Sequence, residues 1–296
     1  MYLTVNPVEY HGPHLSLHND RLVSSGIVRD LHERLAAKHG WPMLLGADLE
    51  VGVEPCPGAG TRRTPYPIAR YLVLEACRAL AELGATKVVI MTFHGAPLHS
   101  LAIDAGVRML AANGVRAVAP FNVVLQELLD VDPQKYSAAF AHIEDADERA
   151  QMMATLGLDF HAGFFETSMA LHYAPDSVAP DYRSLPPCAD VRPNGRFLLA
   201  SSVARKLGAL RLSRELSFAA AAIGWNALRP FPGYTGRPHR ATAQAGAVFV
   251  EQMQEKFVRV VEDVFAGLAE SPPPIMQWMG KVSLGGRIGH LSTPES

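Results

Sequence analysis

The sequence predicts an α/β fold: a mainly parallel sheet with helices on both of its sides. Three observations carry that expectation. Lys87–Met91 is a near-continuous apolar run, the pattern of a strand buried on both faces. Stretches with apolar residues spaced by three and four flank it at 65–83 and 98–113. From the start to residue 121 the order runs strand, helix, strand, helix, strand, helix, strand.

Each element has its own signals. Tyr2–Val5 is a short apolar strand. Asn19 and Asp20 open a helix over 20–39, with Leu22, Ile27, Leu31 and Leu35 on its apolar face and Gly40 as its stop. Pro42–Ala47 is apolar enough for a buried strand. Residues 48–64, with Pro55, Pro57, Gly58 and Gly60, form either a loop over a site or a plain connector. The helix at 65–83 repeats Ile68, Leu72, Ala76, Leu80 and Leu83, tolerates Pro65 at its start and closes at Gly84. After strand 87–91, Leu98, Ala102, Ala105 and Met109 face inward on the next helix, and Val115–Phe121 is the following strand.

The second half is less regular. A helix is expected over 145–156, a proline-rich connector over 175–193, and no clear structure over the Ala- and Ser-rich 198–224. Pro230–Pro238 is a turn-rich loop before a long final helix, 239–266, striped by Gly246, Val250, Met253, Phe257, Val260 and Val264. Ser271–Pro274 closes the fold. A single domain over 1–270 and a C-terminal tail or arm over 271–296 are expected, without internal repeat or linker.

Composition narrows the function. A net charge of −2 and a pI near 6.6 give no reason to expect nucleic acid as a partner. No apolar run reaches the ~18 residues of a membrane span. The start, Met1–Thr4, lacks the basic residues of a signal peptide and runs straight into an acid–histidine window, and three well-separated cysteines suit neither a disulfide framework nor a cysteine zinc site. A cytoplasmic protein is expected. Neither a P-loop nor a dinucleotide fingerprint occurs.

Chemistry concentrates in residues 9–20, which hold Glu9, His11, His14, His18 and Asp20. Glu9 and His11 are two apart, so an extended backbone projects both to one face. Carboxylates and imidazoles at a strand-to-helix junction suit a divalent metal, although a histidine is often a filler and an Asp before a helix often only a cap. His94 also follows a strand end, where parallel sheets bind ligands. His161 and Glu166 lie five apart around Gly163. Glu9, His11, Asp20, His94 and Glu166 are the expected metal ligands. That set suits two ions sharing a carboxylate, with a hydroxide between them attacking an amide carbonyl. His161 is then open to proton transfer, or to being a hydrogen-bonded buried imidazole; His14 suits outer support more than ligation.

These segments resemble the creatininase (creatinine amidohydrolase) family. The likeness lies in an acid-x-His-Gly-Pro-His opening with Asp nine residues after the first His, here Glu9, His11, His14 and Asp20. It continues in the Gly-flanked His94, the stretch from His161 to Ser168, and Gly-Tyr-x-Gly-x-Pro-x-x-Ala-Thr from Gly233 to Thr242. Pro57–Thr61 is similar, less closely, to the family's substrate-side loop.

The resemblance implies a three-layer α/β/α sandwich and a two-metal site for zinc, manganese or iron. It also implies hydrolysis of a small cyclic or non-peptide amide, with Glu166 acting alongside His161 in catalysis. Related members are often homohexamers, so a homo-oligomer is expected; some act as deformylases or peptide-maturation hydrolases, and a catalytically idle binding relative is the rival. His14, Thr61, Phe93 and Ala96 are candidate substrate contacts. Ala96 stands where creatininase has a ligand Glu for the second metal, and Thr92–Pro97 departs from the usual Asn-Gly-His-Gly-Gly-Asn. The oxygen missing at Ala96 must then come from Glu166, and the altered Thr92–Pro97 edge points away from creatinine itself.

Overall fold

The computed structural model describes residues 1–287. In chain order the elements are β1 (Tyr2–Asn6), α1 (Asn19–His39), β2 (Leu45–Glu50), α2 (Tyr66–Glu82), β3 (Lys87–Met91), α3 (Pro97–Ala112), β4 (Arg116–Val118), α4 (Phe121–Leu128), α5 (Ala146–Ala154), α6 (Phe164–Tyr173), α7 (Gly195–Lys206), α8 (Leu210–Asn226), α9 (Ala243–Ala266) and α10 (Trp278–Val282). They group into two compact units. One holds Met1–Tyr10, Leu17–Leu125 and the described chain from Val250 onward; the other holds His11–Ser16 and Gln126–Phe249.

The first unit contains the sheet, which is parallel throughout with strand order β2-β1-β3-β4. β1 lies between β2 and β3 and is buried along its whole length, as is β3 from Val88 to Met91. Alternate side chains face opposite layers. Leu3, Val5, Val88 and Ile90 join Val73, Cys77, Leu80, Ile103 and Val107 in a core against α2 and α3. On the other face Asn6 donates to the Ser24 hydroxyl of α1 at 2.8 Å, and Gln254 of α9 donates to the Ile27 carbonyl at 2.9 Å. Helix, sheet and helix therefore form three layers within this unit.

Four placements differ from expectation, the first being α3, which buries Ile103, Gly106, Val107 and Leu110 and leaves Ala105 and Met109 half-buried. β2 begins at Leu45 and runs on to Glu50, because pairing with β1 sets its register and seats Asp48 to accept the Thr4 hydroxyl at 2.6 Å. It is an edge strand, so the apolar run at Met43–Leu45 is exposed instead of buried. α1 buries Val23 rather than Leu22, and α2 buries Ala69, Val73, Cys77 and Leu80 rather than the stripe through Ile68. Small residues decide the α2 case: a Cβ on Gly106 of α3 would meet Cys77 Sγ at 2.8 Å and Val73 Cγ1 at 2.9 Å. The two helices approach so closely only along that line.

Ser271 accepts from the Ala119 amide at 3.0 Å, Asn122 donates to the Pro272 carbonyl at 2.9 Å, and Ile275 and Met276 are buried ahead of α10. The last part of the expected tail, 288–296, lies outside the described residues.

In the second unit, the stretch 198–224 is a helical hairpin, α7 and α8, turning at Gly208 with φ +77°. Its serines join the helices: Ser201 Oγ lies 2.8 Å from the Ser213 carbonyl and 2.8 Å from Ser217 Oγ. The stripe on α9 is buried at Gly246, Val250, Met253, Phe257 and Val264, with Val261 in place of Val260. No helix among the described residues is long and apolar enough to cross a membrane.

Candidate metal centre

β1 ends at Asn6, and Pro7-Val8 carry the chain to Glu9. The segment that follows β2 is laid against this end. A Cβ on Gly52 would lie 2.2 Å from Pro7, so that contact requires glycine. The Arg62 amide donates to the Val8 carbonyl at 2.9 Å, and the Tyr10 amide donates to Thr61 Oγ1 at 2.9 Å. Thr61 in turn donates to the Cys56 carbonyl at 2.8 Å, so its hydroxyl ties the loop 52–62 to the strand end.

Glu9, Asp20 and His94 converge in this unit, all buried, each offering a ligand atom within 4.8 Å of the others. His94 Nδ1 lies 2.9 Å from Glu9 Oε2 and 3.7 Å from Asp20 Oδ2. Its Nε2 faces the Val53 carbonyl at 3.0 Å. A carbonyl only accepts, so Nε2 carries a proton and Nδ1 is the nitrogen turned to the carboxylates. The Cys56 amide donates to Glu9 Oε1. Val53 and Cys56 thus hold both side chains from behind.

Asp20 is in the first turn of α1, whose N-cap residue is His18. It is therefore a buried acid at the positive end of a helix and not the cap itself. Burial alone would lower the His94 pKa, but the Glu9 and Asp20 charges raise it to about 9. Even with that imidazolium, two carboxylates face one cation. A buried excess of negative charge with an oxygen and nitrogen donor set fits a divalent ion.

The second unit brings together His11, His161 and Glu166, also buried. His11 Nε2 is 3.6 Å from Glu166 Oε2, and the His11 and His161 rings stack at 4.4 Å. Glu166 lies in the first turn of α6 and accepts from the Ala162 amide at 2.6 Å, with Ala162 itself at φ +46°. Thr235 Oγ1 accepts from the His161 amide at 3.2 Å, and the Thr235 amide donates to the His161 carbonyl at 2.8 Å. His14 Nε2 is 2.9 Å from Thr167 Oγ1, and burial, then the His11 charge, lower its pKa to about 4, leaving it neutral.

A family model described as Creatininase, creatinine amidohydrolase, matches residues 1–261. The chain belongs to the creatininase family. Comparison with curated proteins finds no match. Solved structures with the same fold include a provisionally named creatinine amidohydrolase from Bacteroides fragilis, 20% identical, covering 89% of each chain with a TM-score of 0.59. A mutant creatininase complexed with creatine is 17% identical over 90% of this chain and 92% of that one, TM-score 0.56. A manganese creatininase is 17% identical over 90% and 91%, TM-score 0.53.

Two other expected residues have definite places in this creatininase-family chain. Phe93 is buried, its amide donating to Asn6 Oδ1 at 3.0 Å and its ring 5.5 Å from Phe121. Ala96 is the half-buried N-cap residue of α3.

No sequence signal pointed to Val53 and Cys56, whose contributions are backbone groups. It was equally silent on Asp159, buried beside the His161 segment, whose carboxyl burial pushes up to about 7 against the lowering hydrogen bonds from Phe164 and Phe165. His99 is a buried core residue, its Nε2 3.2 Å from the Val5 carbonyl.

Proposed function

We propose that this creatininase-family chain is a two-metal amidohydrolase that cleaves the C–N bond of a small cyclic or non-peptide amide. Glu9, Asp20 and His94 would hold one ion, and His11 and Glu166, with Asp20 shared, the other. Glu9 and His11 are separated by one residue, so the chain passes directly from one ligand group to the next. Zinc, manganese and iron all suit such donors. Two ions so held would supply a nucleophile at neutral pH and polarise the amide carbonyl.

The chain's own groups do the rest. His161 hands a proton to the leaving nitrogen, as the C–N bond breaks. His14, fixed and neutral on Thr167, braces the segment that carries Glu166. Thr61, Phe93 and Ala96 would border the substrate. The buried Glu9–Asp20–His94 cluster is the observation that carries this reading.

Ala96 favours a substrate other than creatinine, since no carboxylate stands at that position. Formamides and short peptides are therefore the alternatives of the same class. A homo-oligomer in the cytoplasm is the proposed state. Hydrolysis of cyclic amides, formamides and short peptides by metal-analysed protein tests the proposal; metal-free protein with no hydrolysis of any class would favour the idle binding relative.

A further inference from the structure

Asp159 is a buried carboxylate outside the proposed ligand set. Its Oδ2 accepts from the Phe164 amide at 3.0 Å and its Oδ1 from the Phe165 amide at 3.2 Å. Those amides belong to the first turn of α6, two residues and one residue before Glu166. The carboxylate therefore caps α6 from a residue that is not its N-cap.

Two glycines make room for it. A Cβ on Gly163 would lie 2.2 Å from Asp159 Oδ1, and one on Gly236, at φ +60°, would lie 2.2 Å from Asp159 Oδ2. Gly236 directly follows Thr235, whose hydroxyl and amide hold the His161 backbone. The same carboxylate thus touches the start of α6 and the neighbour of the clamp on His161. His161 and Ala162 lie between Asp159 and the Phe164 and Phe165 amides, and Glu166 directly follows them; Ala162, at positive φ, donates its amide to Glu166.

We propose that Asp159 is a positioning residue: seated between Gly163 and Gly236, it fixes the loop-to-helix turn that aims His161 and Glu166 at His11. Asn in its place keeps one acceptor oxygen but turns an amide NH₂ toward a backbone N–H, so one of the two capping bonds fails. The segment then loosens without losing its fold.

The test uses the full chain with ¹⁵N-labelled histidines. In metal-free Asp159→Asn protein the His11 and His161 ring signals should move, because the rings stack on each other, while the His94 signals stay. This readout does not depend on the proposed metal function. The second readout does rest on it: zinc titration should show one ion bound about 10–100-fold more weakly and the other unchanged. Gly236→Ala displaces the carboxylate from outside the segment and should move the same ring signals. It decides the matter if Asp159→Asn fails to fold.

A folded Asp159→Asn variant, or failing that Gly236→Ala, with parent ring signals would overturn the proposal. Lowered thermal stability with unmoved rings would mean a purely structural carboxylate and would overturn it equally. If the parent binds no zinc, the proposed function falls, and the ring signals still decide the role of Asp159.

Discussion

The imidazole of His94 holds its Nδ1 2.9 Å from Glu9 Oε2, with both side chains buried. Val53 fixes the far nitrogen of His94 and Cys56 the far oxygen of Glu9, so neither group can turn away. A buried acid–imidazole pair with a second acid beside it is costly without further positive charge.

Metal removal should therefore destabilise the protein. Chelation is expected to lower the melting temperature, and restoring a divalent ion at about 100 times its Kd should return about 2.7 kcal/mol per site. Differential scanning calorimetry of metal-free and reloaded protein measures this; identical melting curves would speak against any resident ion.

Asp20→Asn should empty or half-empty the site and abolish hydrolysis, since Asp20 is assigned the shared position. Glu9→Gln should be milder, costing chiefly one ion. Metal analysis of the two purified variants separates them. Two tightly held ions in Asp20→Asn would remove the sharing role.

His161→Ala should keep near-parental metal content while turnover falls by ~10²–10⁴, the usual worth of a positioned proton donor. Loss of metal along with activity would make His161 a ligand instead. An active, fully metallated variant would leave it a structural imidazole.

Much of this was legible in the sequence, and the exceptions have physical reasons. The β3 run and the α9 stripe were readable because burial there follows simple periodicity, whereas α3 buries Ile103, Gly106, Val107 and Leu110 where Ala105 and Met109 were expected. The α2 face was not readable, since two adjacent stripes compete and only the close contact at Gly106 chooses between them. The α7–α8 hairpin escaped detection because serine bridges, not a hydrophobic stripe, line its interface. Glu9, Asp20 and His94 come from three segments; Glu9 and His94 were findable from their position after strand ends, and Asp20 from the acid–histidine window at a helix start. Their supports, a carbonyl of Val53 and an amide of Cys56, carry no side-chain signature at all.

Gly106→Val tests the helix contact apart from the chemistry. The added methyl groups must push into Cys77 and Val73, and overpacking of this kind costs about 1–3 kcal/mol. Chemical denaturation should register that loss, with metal content per folded chain unchanged. An unaltered midpoint would mean that α2 and α3 have room to separate.

The buried carboxylates and imidazoles are proposed to hold ions for amide hydrolysis. The most direct test is the metal content of the purified chain after loading with zinc or manganese and removal of unbound ions. About two ions per chain are expected, as a two-metal hydrolase requires. A folded chain that retains none would contradict it.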